Sequence, residues 1–163
     1  MPNLEPEAQK IRHLDAVDRQ IMNLLAHNAR TRLIDLAKRV KLSIDSTKKR
    51  LLKLERENII TKYTIQVNTA ALDLPLGVHI YLKLKDLKEK DYENLIQHLK
   101  RDPSVIDLMA MIGDYDLYIV MLTKNTQDLE KKKLKIRQQF SSIIADWKEV
   151  LVAEIYKLEE YSF

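Results

Sequence analysis

The chain has 163 residues, 45% of them hydrophobic and 32% charged, with a formal net charge of +4. That apolar share can bury one core or two small ones and excludes a disordered polymer. There is no cysteine and there are only two glycines, Gly77 and Gly113, which excludes disulfides, thiolate metal sites, thiol catalysis and a glycine-rich phosphate loop.

Residues 1–13 are polar and mixed in charge, without the apolar core of a signal peptide, and are expected to be a flexible or extra-helical start. No apolar run approaches the ~18 residues a membrane span needs. A cytoplasmic protein with no membrane partner is therefore expected. Leu14, Val17, Ile21, Leu24 and Leu25 then form a helical stripe, and Leu33, Leu36, Ala37 and Val40 form a second at i, i+3, i+4 and i+7. Lys41 and Leu42 make a turn. Ser43 is placed to cap the next helix, and Asp45 suits the positive end of that helix's dipole. Along it Thr47, Leu51 and Leu54 face inward, leaving Asp45, Ser46, Lys48, Lys49, Leu52 and Lys53 outside. Asn58 suits the left-handed residue that ends a helix, and Ile59 and Ile60 return to the core.

Two short helices joined by a tight turn, the second capped and basic on its polar face, have the form of a helix-turn-helix. A helix of this length fits the major groove of double-stranded DNA, where its first exposed side chains meet base edges. Lys48 and Lys49, with Ser46 and Asp45 nearer the helix start, are the candidates to approach bases, Arg50, Lys53 and Lys62 are expected at phosphates, and the capping Ser43 completes the expected DNA-binding set. The charge distribution agrees. Residues 1–68 hold 14 Lys+Arg against 8 Asp+Glu, a balance of +6, and residues 69–163 hold 14 against 16, a balance of −2. The basic half is the half with the motif, as a polyanion partner requires.

Ile60, Tyr63, Ile65 and Val67 suggest a strand, a small wing closing a first domain at residues 1–67. Asn, Thr, Asp and Pro cluster in residues 68–75, the expected linker. Within the remaining residues 76–163, Val78, Ile80, Leu82 and Leu84 alternate with polar partners as a strand. Tyr92, Leu95, Ile96 and Leu99 mark a helix. Val105 to Ile112 and Tyr115 to Leu122 form a hairpin turning at Gly113-Asp114. A long helix is expected from Thr126 to Ser142, with Lys131, Lys132 and Lys133 in solvent, and a last strand from Val150 to Leu158. The fold class is α+β: a winged helix-turn-helix followed by a ferredoxin-like βαββαβ module. Such a sheet has helices on one face only, and an exposed apolar face points to two-fold association.

Three motifs resemble the leucine-responsive and asparagine-operon regulator (Lrp/AsnC) family of transcription factors. They are the opening helix Leu14-Asp15-x-x-Asp18-x-x-Ile21-x-x-Leu24-Leu25, the stretch Leu36-Ala37-x-x-Val40-x-Leu42-Ser43 through Arg50-Leu51-x-x-Leu54-Glu55 to Ile59-Ile60, and Ile112-Gly113-x-Tyr115-Asp116. The resemblance spans Leu14 to Leu158. It implies a DNA-binding regulator that assembles as a dimer or as a higher oligomer such as a tetramer or octamer. It also implies an amino-acid effector held near Gly113, Asp114, Tyr115 and Asp116, and no other cofactor. Lys41 and Asn58 stand where the family usually has glycine, and Asp73 where its linker often does. Arg32 stands where a Ser or Thr commonly caps the second helix, so Thr31 is expected to serve there, and Thr47 replaces an apolar residue.

An enzyme is the rival class. His13, His27, His79 and His98 are scattered, without metal-ligand spacing. Asp114 and Asp116 fit a turn better than a catalytic pair, and no aromatic RNA-binding strand is present. The alternative within DNA binding is an architectural protein that coats DNA with low sequence preference and no effector. The ratio of specific to non-specific affinity separates the two.

Overall fold

The structure, a computed structural model, describes residues 14–158 and 161–163. The chain divides into two compact units. One comprises the described part of Met1–Gln66 together with Lys157–Phe163, and the other Val67–Tyr156. The last residues therefore lie with the first unit, not with the second as the expected boundary at 76–163 had it. Asn23 holds them there: its Oδ1 accepts from Phe163 N–H at 2.8 Å and its Nδ2 donates to Phe163 O at 3.2 Å.

The described part of the first unit holds three helices, α1 (Ala16–His27), α2 (Leu33–Val40) and α3 (Ile44–Arg56). The predicted stripes converge on one core of Ile21, Met22, Leu25, Leu36, Val40 and Leu54, with Leu51, Ile59 and Ile60 packed against it. Asp15 caps α1 by accepting from Asp18 N–H at 2.8 Å. The expected strand Ile60–Val67 is not formed. Residues 61–68 are exposed and carry no ladder bonds to the other described residues. Their alternation provides one apolar row, and no neighbouring strand of this unit offers the complementary hydrogen bonds.

The second unit opens with a short 3₁₀ turn at Thr69–Leu72. Then follow β1 (Leu76–Leu84), α4 (Glu89–Arg101), β2 (Val105–Ala110), β3 (Leu117–Thr123), α5 (Thr126–Gln139) and β4 (Ile144–Leu151). The sheet order is β2-β3-β1-β4 with every neighbouring pair antiparallel, the βαββαβ arrangement expected. One face is dry: Val78, Ile80 and Leu82 of β1 and Leu117, Ile119 and Met121 of β3 are fully buried against Leu95 and Leu99 of α4 and Leu129 and Ile136 of α5. The opposite face carries His79, Tyr81, Tyr118, Val120, Lys148 and Val150, which share register across the three strands β3-β1-β4.

The last strand required correction. It runs from Ile144 to Leu151, not from Val150 to Leu158, and α5 stops at Gln139 rather than Ser142. The apolar Val150, Val152, Ile155 and Leu158 had suggested a strand, but the sheet takes the preceding residues, pairing Leu82 with Trp147 and Ile80 with Glu149. A bulge between Lys83 and Leu84 shifts the register where β4 begins. The hairpin strands are also shorter than expected, and residues 111–116 form its loop. Lys133 departs from the solvated lysine run, pairing with Glu149 at 2.9 Å and Glu130 at 3.3 Å.

Candidate nucleic-acid interface

The turn between α2 and α3 is built by backbone conformation first. Lys41 adopts φ 56°, ψ 41°, the left-handed region that ends a helix, and Leu42 N–H donates to Ala37 O at 3.1 Å. Asn58 (φ 54°) and Asp73 (φ 62°) take the same region. All three positions are those where the resembled family favours glycine, so the geometry is kept and the non-glycine residues bear its cost, about 1–2 kcal/mol for an ordinary L-residue.

Ser43 caps α3 as expected. Its Oγ accepts from Ser46 N–H at 3.1 Å and donates to Ser46 Oγ at 2.9 Å. Thr47 is fully buried, and its hydroxyl is satisfied by donation to Ser43 O at 2.9 Å, which is how a polar residue occupies an apolar position. With Thr47 and Leu54 turned inward, Asp45, Ser46, Lys48, Lys49, Leu52, Lys53 and Arg56 are left exposed on the other side. Arg56 was not among the predicted contacts, although its exposed place in the last turn of α3 adds to the basic face. Lys53 stands 4.0 Å from Glu57, a loose exposed pair that leaves its ammonium accessible. Lys62 is exposed on the segment beyond the helix. The expected cap by Thr31 is not made: Thr31 Oγ1 donates to Asn28 O, and Arg32 instead pairs with Asp35 at 2.8 Å across the first turn of α2.

Arg50 stands apart from the other predicted contacts. Its Nη1 reaches Asp15 at 2.7 Å and Asp18 at 2.9 Å, tying α3 to the start of α1. Asp18 is buried, so the guanidinium balances a carboxylate withdrawn from water. The Asp15 carboxyl is held below its usual range, first by the Asp18 N–H and then by Arg50. The guanidinium is raised in turn by the Asp15 and then the Asp18 hydrogen bond. The i, i+3 spacing of Asp15 and Asp18 was readable, but their partner more than 30 residues away was not.

Tyr63 closes the exit of the unit by donating to Glu55 Oε1 at 2.7 Å. Partial burial, with Glu55 second, pushes its hydroxyl above the ordinary tyrosine value.

The hairpin loop distributes its four predicted residues unevenly. Gly113 adopts φ 145°, which favours glycine, and has open space around it. Asp114 is exposed. Tyr115 donates to Asp146 at 3.2 Å and packs beside Tyr81, with the Lys148 ammonium about 6 Å from both rings. Asp116 is already committed: its Oδ2 accepts from Leu84 N–H at 2.7 Å, its Oδ1 lies 3.5 Å from Lys83 Nζ, and its own N–H donates to Leu82 O. Among the described residues no group of three or more His, Cys, Asp or Glu gathers as a metal site, and no helix is long and apolar enough to cross a membrane.

Comparison with known proteins places these features in a class. Residues 14–61 match the family model for winged helix-turn-helix DNA-binding domains. The HTH-type transcriptional regulator FL11 of Pyrococcus horikoshii is 27% identical over 116 residues, covering 71% of this chain and 75% of that protein. A further HTH-type transcriptional regulator of the same organism, uncharacterised, is 28% identical over 72% of this chain and 78% of its own length. Among solved structures, a Neisseria meningitidis transcriptional regulator in complex with L-Met superposes with a TM-score of 0.82 at 22% identity, covering 90% of this chain and 94% of that one. An AsnC family transcriptional regulator from Agrobacterium tumefaciens gives 0.80 at 19% identity, covering 89% and 94%. These structural likenesses establish the common fold. Residues 14–61 are thus a winged helix-turn-helix DNA-binding domain, and the chain is similar to HTH-type transcriptional regulators. The fold of the whole chain is the one the AsnC family transcriptional regulator from Agrobacterium tumefaciens adopts.

Proposed function

We propose that the chain is a sequence-specific DNA-binding regulator of transcription, acting in the cytoplasm as a two-fold dimer or a higher assembly of dimers. The observation that carries this reading is the outer face of α3. A capped helix follows a left-handed turn and turns Ser46, Lys48, Lys49 and Lys53 to solvent, while its other side is locked into the core. Ser46, Lys48 and Lys49 are nearest the bases, with Ser43 and Asp45 at the helix start. Lys53 and Lys62 meet phosphates. Arg50, occupied by two carboxylates, braces the reading helix instead of touching DNA. No enzymatic step is assigned to it.

Dimerisation uses the uncovered sheet face. His79, Tyr81, Tyr118, Val120 and Val150 form a mixed aromatic and aliphatic surface there beside Lys148, and the Tyr118 hydroxyl pairs with His79 Nδ1 at 2.7 Å. An amino-acid response is supported by the L-Met complex of the Neisseria meningitidis regulator. In this chain the amino acid would meet Asp114 and the backbone at Gly113, flanked by Tyr115, where hairpin loops of assembled subunits approach. Asp116 would shape that loop. The effector acts by favouring one assembly state over another.

The test is footprinting on the DNA upstream of the protein's own gene, with and without each amino acid. Protection of a discrete site, altered by one amino acid, supports both parts. Uniform protection of every sequence would overturn sequence-specific reading in favour of DNA coating. Discrete protection indifferent to all twenty amino acids would overturn only the effector assignment.

A further inference from the structure

The second unit contains a large open cleft that includes no residue of the hairpin loop. It lies between α4 and α5 on their outer side and has a volume of about 830 Å³, within the usual range of small-molecule sites. Both helices pack on the sheet, but their outer portions leave a gap floored by Ile136, Phe140 and Ile143, which are almost wholly buried. The His98 ring stands edge-on to Phe140 at 5.2 Å between centroids, extending the aromatic part of the floor.

The rim is cationic. Arg101 closes the C-terminal end of α4, and Lys132 and Lys135 border the cleft from α5. Among the described residues none of the three makes an ion pair. Three cations around an apolar floor repel one another, and an anion placed among them relieves that repulsion. Two carboxylates also line the cleft and offset part of this charge: Asp102, against its own burial, is held below the usual carboxylate range by Ser104 and then by Lys132. Asp102 Oδ1 accepts from both Ser104 N–H and Ser104 Oγ, at 2.9 and 2.6 Å. Asp91 lies in the first turn of α4, about 15 Å along the helix from Arg101 at 1.5 Å per residue. Asn94, Gln97 and Gln139 supply amides between these ends.

We propose that this cleft binds a small organic anion, a carboxylate or phosphate ester with an aryl or branched aliphatic body. The anionic head would sit among Arg101, Lys132 and Lys135, and the body on Ile136, Phe140 and Ile143. The site differs in its chemistry from the hairpin loop, where the exposed carboxylate Asp114 suits an ammonium group. Its occupancy does not depend on whether α3 reads DNA.

The experiment uses the full chain with isoleucine methyl groups labelled for NMR, titrated with phenylpyruvate, phenyl phosphate and inorganic phosphate. Either aryl anion should shift the Ile136 and Ile143 methyl resonances saturably, and inorganic phosphate, which has a head but no body, should bind much more weakly. The Arg101→Gln/Lys132→Gln variant should lose about ten-fold or more in affinity, the scale of one charge-assisted hydrogen bond. These two side chains sit outside the packed core, and an unchanged melting temperature and spectrum will show that the variant is folded. A second variant, Lys135→Gln, should weaken binding without touching the floor. The proposal is overturned if neither aryl anion gives a saturable shift, if affinity is unchanged in both variants, or if duplex DNA moves these methyls while the aryl anions do not. Anisotropy with labelled duplex DNA on the same preparations reads α3 separately, so failure of the cleft and failure of DNA binding are distinguishable.

Discussion

The outer face of α3 and the hairpin loop at residues 111–116 carry the two halves of the proposed function, and they are built in opposite ways. The groups that set the rotation of Lys48 and Lys49 lie within one helix and its cap, since Ser43 fixes the first turn and Thr47 and Leu54 face the core, with Arg50 alone reaching out to brace that helix on α1. The loop depends on residues distant in sequence, since Asp116 is held by Leu84 and Lys83, and Tyr115 by Asp146 and Tyr81. A helix presents its side chains by periodicity alone. A loop site is defined by what packs against it, so a motif can place the loop correctly and still misassign a carboxylate.

The largest expected effect separates a brace from a reader on the same helix. Arg50→Gln should destabilise the first unit by about 2–3 kcal/mol, because it weakens the balance of the buried Asp18 charge, with a discount for the partial exposure of Arg50. Lys48→Ala should change stability by less than about 0.5 kcal/mol. Its effect belongs in binding, where loss of a base contact costs about 1–3 kcal/mol and relaxes preference at one position. Urea denaturation and binding to specific and random duplexes measure the two quantities. If Arg50→Gln is as stable as the wild type and loses only DNA affinity, the bracing role is wrong.

The same brace predicts a pH dependence. Asp15 has a folded-state pKa below its unfolded value of 3.8, so its contribution is fully present above that value and is lost as pH falls through the lowered one. Acid titration of stability should therefore show a steeper loss below about pH 4 in the wild type than in Asp15→Asn, which starts less stable but has no such carboxylate to protonate. Parallel curves would show that the Asp18 N–H and Arg50 do not hold the charge as described.

In the loop the contrast is between two aspartates two residues apart. Asp116→Ala leaves the N–H of the buried Leu84 without its acceptor and should cost the second unit about 1–2 kcal/mol. Asp114→Ala, at an exposed position, should be neutral within about 0.5 kcal/mol. If an amino acid binds, its affinity should fall in Asp114→Ala at unchanged stability. Equal melting temperatures for the two variants would show that Asp116 is not the structural member of the pair.

The outcome of reading the sequence follows the same division. The helix-turn-helix was readable to within a residue or two, because amphipathic spacing, Ser43 and Asn58 are local signals with local consequences. The alternation in β1 was equally plain. The wing strand failed because alternation at Tyr63, Ile65 and Val67 says that one side is apolar and says nothing about a partner strand. The last strand slipped because Ile144 to Leu151 contains Asp146, Lys148 and Glu149, which look like a surface. They are tolerated there because the open sheet face takes Asp146 and Lys148, and Lys133 and Trp147 meet the Glu149 carboxylate. The Asp15–Asp18–Arg50 brace and the α4–α5 cleft arise from tertiary packing, for which a single chain of letters has no marker.

The smallest expected effect tests how the first unit keeps a geometry its residues do not favour. Lys41 occupies the left-handed region at the end of α2 without glycine's freedom. Replacing it with glycine removes a steric cost of about 1–2 kcal/mol. It also loosens the unfolded chain, which costs about 0.4–1 kcal/mol in the opposite direction. The difference predicts that Lys41→Gly stabilises the unit by about 0.5 kcal/mol. Asn58→Gly should gain less, because asparagine enters this region more readily than lysine. Lys41 is exposed and makes no ion pair among the described residues, so little else is lost with its side chain. Chemical denaturation of the two variants beside the wild type gives the order. Destabilisation by Lys41→Gly would mean that the turn preceding the reading helix relies on the lysine side chain and not on backbone conformation, and the self-contained character of α3 would have to be extended to include it.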